Sequence, residues 1–171
     1  MSLEFELCLR KPITLLAHEA LLNTYYTTSC LRKKAGELLR PFGLTDVQFN
    51  LMMRLKYQSG PEEGLSQAQL SNMMLVNRAN ITSIIDRMEK ASLVIRTPAP
   101  SDRRSHIIKL TNRGWELLDR IEPLYTKEVK RIMAVLKQTQ QKTLIAMLEK
   151  VRANISEQAE LNPKDISLVG T

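Results

Sequence analysis

Two cysteines, Cys8 and Cys30, and two histidines, His18 and His106, are the only thiol and imidazole ligands that 171 residues supply. They cannot build a disulfide framework or a cysteine zinc site, and two lone histidines far apart do not hold a metal. Neither metal nor cofactor is expected, and the thiols are expected to be buried and inert in a reducing cytoplasm. Glycine is also scarce. The six glycines fall at breaks between elements, and no phosphate loop, dinucleotide-binding turn, nucleophile elbow or His-Glu-x-x-His occurs. With no nucleophile beside a base, the chain reads as a binding protein and not an enzyme. Long apolar runs are missing too. The longest fairly apolar uncharged stretch lies between Glu19 and Arg32, short of the roughly 18 residues of a membrane span, and Glu4, Glu6 and Arg10 interrupt any leader-like start. A soluble, cytoplasmic protein without a membrane partner is the expectation.

What is present is a globular composition with a basic excess. Apolar residues make up 43%, and 25 Lys plus Arg stand against 18 Asp plus Glu, a net charge of +7. More than half of that excess falls between residues 45 and 115. A basic middle points to nucleic acid only if the cations sit where a groove could receive them.

Along the chain, Pro12 to about Arg40 suits a helix or a bent helical pair with Pro12 in its first turn, stopped by Pro41-Phe42-Gly43. Thr45-Asp46-Val47-Gln48 and Ser66-Gln67-Ala68-Gln69 have capping-box spacing and open two more helices, separated by a loop over Gln58 to Leu65. From Asn77, the residues Ile81, Ile84, Ile85 and Met88 form one buried stripe of an amphipathic helix. After Ser92 the texture changes. Leu93 to Thr97 and Ser105 to Leu110 read as the strands of a hairpin whose tip, Asp102-Arg103-Arg104, is cationic. Thr111 then caps a long helix, expected to kink or break near Pro123, and a last helix runs from about Thr139 to Leu161. Met52, Met53, Met73, Met74 and Met88 are expected to fill core space.

A short helix, a tight turn, an amphipathic second helix and an arginine-tipped hairpin are the parts of a winged helix-turn-helix. The second helix fits the major groove of B-DNA, and the hairpin can bring a guanidinium to the narrower minor groove. The expected fold is mainly α: a winged helix-turn-helix core over 45–114, flanked by helical segments 1–44 and 115–171, in one domain.

Leu44-Thr45-Asp46-Val47-Gln48-Phe49, Leu65 to Leu70, Asn77 to Thr82, Asp86 to Lys90, and Asp102 to Ser105 followed by Leu110-Thr111-Asn112-Arg113-Gly114 stand in an order and spacing that resemble the multiple-antibiotic-resistance regulator (MarR) family of bacterial transcription factors. The resemblance covers about 70 residues. Ser92 departs from it, standing where the family usually has glycine, and the Gln58–Leu65 loop is longer than usual. The resemblance implies double-stranded DNA as partner, homodimerisation through the terminal helices and a pseudo-palindromic operator, with repression as the expected sense. It implies DNA contacts from Arg78, Asn80, Thr82, Ser83 and Arg87 on the reading helix and from Arg103 and Arg104 on the wing, with Asp102 orienting Arg104. A small aromatic or amphipathic effector is also implied, for which Tyr26 and Cys30, one helical turn apart, are the candidate contacts. The alternatives are a regulator that senses oxidation through its cysteines and a winged-helix module that binds only other proteins.

Overall fold

Three helices of the winged core begin on side chains that cap them. Thr45 and Ser66 each accept a bond from the backbone N–H three residues on, while Gln48 and Gln69 accept one through Oε1 from the capping residue's own N–H, at 2.8–3.2 Å. Asn77 Oδ1 accepts from Asn80 N at 2.8 Å. These caps fix α3 (Asp46–Gln58), α4 (Gln67–Met74) and α5 (Arg78–Lys90) where the sequence places them. The computed structural model describes residues 2–59, 64–99 and 106–159.

Upstream lie α1 (Leu3–Glu6) and α2 (Leu16–Leu39), then a 3₁₀ turn over Arg40–Phe42. Pro12 is not in the first turn of α2, as expected from sequence, because the chain ahead of it is held elsewhere: Ile13 N donates to Glu4 Oε1 at 2.8 Å. Downstream, β2 (Val94–Pro98) and β3 (His106–Leu110) form the hairpin, followed by α6 (Asn112–Met133) and α7 (Gln138–Ala159). The hairpin is joined by a strand that sequence reading missed. β1, only Leu65–Ser66, pairs antiparallel with β3, placing Leu65 opposite Ile108 and giving the order β1-β3-β2. Two residues carry no alternation to detect.

The core of this unit gathers Leu39, Phe49, Leu51, Met52, Leu65, Leu70, Ile81, Ile85, Met88, Ile108, Leu118 and Ile121, all essentially inaccessible. Each such side chain contributes about 1.5–3 kcal/mol relative to exposure. Met52 and Met88 fill core space as expected, whereas Met73 is exposed. Of the kink or break expected near Pro123, the break does not occur: α6 continues through it as one helix. The lost hydrogen bond and ring clash cost about 3 kcal/mol, and the complete burial of Leu118 and Ile121 on the preceding turns offsets that cost.

Ser92, the departure from glycine, takes the left-handed conformation itself (φ 56°) at the end of α5, and Leu93 N reaches back to Met88 O at 2.9 Å. Gly114 is needed for room. A Cβ there would stand 2.2 Å from the carbonyl oxygen of Leu93.

The chain divides into two compact units, one ending at Tyr125 and the other beginning at Thr126. In the first, α2 buries only Leu39, and Leu15, Leu16, Leu21, Tyr25 and Leu31 are exposed. In the second, Leu144, Met147, Val151 and Ile155 on α7 are exposed at helical spacing. Among the described residues no helix is long and apolar enough to cross a membrane.

Candidate nucleic-acid interface

The buried stripe Ile81-Ile84-Ile85-Met88 fixes the rotation of α5 about its axis, so its other residues have defined directions. Every site residue expected on this helix is exposed: Arg78, Asn80, Thr82, Ser83 and Arg87. They fall on two edges. Asn80, Ser83 and Arg87 line one cleft of about 310 Å³ with Val47, Val76 and Ile84, and Arg87 Nε donates to Ser83 O at 3.1 Å. On the other edge Thr82 Oγ1 donates to Arg78 O at 2.8 Å and accepts from Gln67 Nε2 at 3.1 Å. Thr82 is therefore tied to the first turn of α4, and a base edge must compete with Gln67 for its hydroxyl. Arg78 stands in the first turn of α5, where a cation opposes the positive end of the helix dipole. Among the described residues its guanidinium has no hydrogen-bond or ion-pair partner, so that group is free for an anion.

The same edge continues to Asp86 and Glu89, and there it meets the wing. Arg96 of β2 donates through its backbone N to Glu89 Oε1 at 3.0 Å, and its guanidinium bonds Glu89 through one nitrogen and Asp86 through another. Burial works against the charge on Arg96, but the hydrogen bonds to the two carboxylates outweigh it and hold the pKa above the ordinary guanidinium value. Neither Arg96 nor Gln67 is among the site residues expected from sequence. The signal for Arg96 was present, because strand alternation puts it on the same face as buried Val94, opposite an acidic pair spaced i, i+3. Gln67 left no such trace.

At its base the hairpin is fastened to α6. Thr111 N donates to Leu93 O at 3.2 Å and Thr111 Oγ1 to Ser92 O at 2.6 Å, while the same hydroxyl accepts from Gly114 N at 3.0 Å, the capping role expected of Thr111. Asp102, Arg103 and Arg104 lie outside the described residues.

Tyr26 is half-buried on α2 and Cys30 is exposed. Cys30 chiefly, then partial burial and Glu6, raise the Tyr26 phenol above its ordinary pKa. Both thiols are exposed, which corrects the expectation that they are buried. For Cys30 the reason lies in α2, which turns nearly every side chain away from the core of its own unit. A separate open cleft of about 450 Å³ is lined by Arg32, Asp46, Asn50, Arg54 and residues 73–76 of the α4–α5 turn, and neither Tyr26 nor Cys30 contributes to it. Among the described residues no group of three or more His, Cys, Asp or Glu side chains could hold a metal ion.

The model of the MarR family matches residues 44–106, the stretch from the opening of α3 to the start of β3. The HTH-type transcriptional repressor Mb2911 of Mycobacterium bovis is 32% identical over 127 residues, which span 74% of this chain and 88% of that protein. An uncharacterized HTH-type transcriptional regulator of Bacillus subtilis, YkoM, is 31% identical over 99 residues, 58% of this chain and 62% of the relative. Among solved structures, Sco3205, a MarR family transcriptional regulator from Streptomyces coelicolor in complex with DNA, superposes with a TM-score of 0.71 at 25% identity over 91% of this chain and 95% of the other. A winged helix-turn-helix with a free polar edge on its second helix, matched in family, sequence and fold, makes this chain a member of the MarR family of DNA-binding transcriptional regulators.

Proposed function

We propose that the protein binds a pseudo-palindromic DNA operator as a homodimer and represses transcription there. The observation that carries this reading is the orientation of α5: a buried isoleucine–methionine stripe holds Arg78, Asn80, Ser83 and Arg87 outward on a rigid rod, which is the shape a major groove accepts. Arg103 and Arg104 supply the wing contacts, Arg104 in the minor groove with Asp102 orienting it. Arg103 meets phosphate. The exposed apolar side chains of α2 and α7 support dimerisation through the terminal helices, because single chains rarely leave such rows open to water. A two-fold dimer then sets two reading helices about one DNA turn apart.

Release by a small aromatic or amphipathic ligand at Tyr26 and Cys30 completes the proposal, and the adjacency of phenol and thiol supports it. The exposure of both cysteines gives a second reading a footing, release by thiol oxidation. Selection of genomic fragments by the purified protein tests the whole: the expected result is a small set of two-fold sites bound by dimers. Binding without sequence preference, or full affinity from a monomer lacking residues 1–40, overturns it. Adding a salicylate-like acid or peroxide to the selected complex separates the two release routes, the first losing effect in Tyr26→Ala and the second in Cys30→Ser.

A further inference from the structure

We propose that Arg96 is a positioning residue for DNA binding, which clamps the wing hairpin to the reading helix and itself makes no DNA contact. The inference rests on the operator-binding reading above. The geometry points to it in three ways. First, the attachment is double. The backbone N–H and the guanidinium of one residue both end on Glu89, so β2 can neither slide along α5 nor roll on it without breaking a bond, and a second guanidinium nitrogen holds Asp86 one turn earlier.

Second, the clamp lies where leverage is greatest. Below it the hairpin is fixed to the core by Thr111 at Leu93 and Ser92, and beyond Arg96 only Thr97 and Pro98 remain paired in β2, facing Ile107 and His106. At this level β3 is also held on its far side by Leu65 and Ser66 of β1, but β2 is the outer strand with no second neighbour, so the attachment of Arg96 is what fastens that strand to α5. Holding it at Arg96 sets the separation between the groove read by α5 and the groove reached by the segment that carries Arg103 and Arg104.

Third, the charge is already spent. Two carboxylates surround one guanidinium, leaving the trio net negative, so Arg96 offers no surplus cation to a phosphate. The fork geometry matters as well as the charge, since a lysine ammonium cannot span two carboxylates in a plane as a guanidinium does.

Positioning and plain electrostatics predict opposite signs for one experiment. Asp86→Ala/Glu89→Ala removes two negative charges from the DNA-facing side and frees Arg96, so an electrostatic role requires tighter operator binding and a steeper loss with salt. The clamp requires the reverse: affinity for the selected operator about tenfold weaker in a fluorescence anisotropy titration, with Arg96→Ala equally weak and Arg96→Lys no better than half-restored on a logarithmic scale. Coupling to the wing supplies the second readout. Arg104→Ala, expected to cost about tenfold in the wild type, should cost threefold or less when Arg96 is alanine, because a wing already loose has little to lose. Tighter binding by the acid-pair variant, or strictly additive losses for Arg96 and Arg104, overturns the clamp. A melting curve of each variant confirms folding, and Glu89→Gln, which keeps an acceptor for the backbone N–H, stands in for any variant that fails it. Wild-type protein that selects no operator at all overturns the operator reading and this inference with it; wild-type binding with unaltered variants overturns only this one.

Discussion

Replacing Gly114 by alanine asks how closely α6 must approach the start of the wing. The new Cβ would lie 2.2 Å from Leu93 O and 3.2 Å from Leu110 Cδ2, so the helix start must retreat by roughly 1 Å to reach ordinary C···O contact. Backbone is the obstacle, and it cannot rotate aside as a side-chain end can. Forcing a methyl group into such a contact costs about 1–3 kcal/mol. The retreat also strains the bonds of Thr111 to Leu93 and Ser92, one of which is worth about 1 kcal/mol. Alanine's better helix propensity returns roughly 1 kcal/mol. A net loss of about 2 kcal/mol is expected, which for a chain of this size lowers Tm by roughly 4–8 °C. Thermal melting followed by far-UV circular dichroism, with urea titration as a second probe, measures it. The same retreat moves the base of β2 away from α5, so operator affinity should fall in protein that is still folded. An alanine variant as stable as the wild type would show that the contact relaxes freely and would refute the reasoning.

Ser92→Gly should raise stability by about 1 kcal/mol, because glycine takes the left-handed conformation without the Cβ penalty, and operator affinity should stay unchanged in the same preparation. Arg78→Ala and Asn80→Ala should differ in kind, a phosphate contact costing affinity on every sequence and a base contact relaxing preference at one position by about 1–3 kcal/mol; binding-site selection with each variant reads the difference. The hydrogen bond from Lys56 Nζ at 2.7 Å, and then the one from the Tyr57 hydroxyl, hold Glu122 below the ordinary carboxylate range. A depressed folded-state pKa stabilises above the unfolded value and ceases to do so as pH falls through it. Glu122→Gln should therefore unfold at lower urea than the wild type at pH 7, and the gap should close as the pH drops below about 4.

Helix starts were the most legible feature of this sequence, since a cap is written in four adjacent residues: Thr45 with Gln48, Ser66 with Gln69, and Asn77 alone. The reading stripe of α5 was legible for the same local reason, and it settled which site residues face outward. Features made by distant partners were not. β1 is two residues long and exists because Ile107 and Ile108 arrive beside it, and the exposure of Cys30 follows from what α2 does not touch. Pro123 reads as a breaker by local rules, yet burial on the neighbouring turns holds the helix through it. Gln67 and Arg96 lie between these cases. Each is an ordinary polar residue until a neighbouring element supplies Thr82 or the pair Asp86 and Glu89.

The pairing of β1 with β3 has a consequence for the order of folding. Ser66 both caps α4 and faces Ile107 across the ladder, so the opening turn of the helix-turn-helix is stitched to the inner strand of the wing. The helices between them can form from local contacts within microseconds, but Leu65 meets Ile108 only after the intervening chain has closed on itself, and closure entropy falls due before that contact repays it. The wing cannot be an appendage added to a finished core. Its central strand belongs to the step that commits the unit to its native topology, and side chains at Leu65 and Ile108 govern how fast the chain folds more than how fast it unfolds.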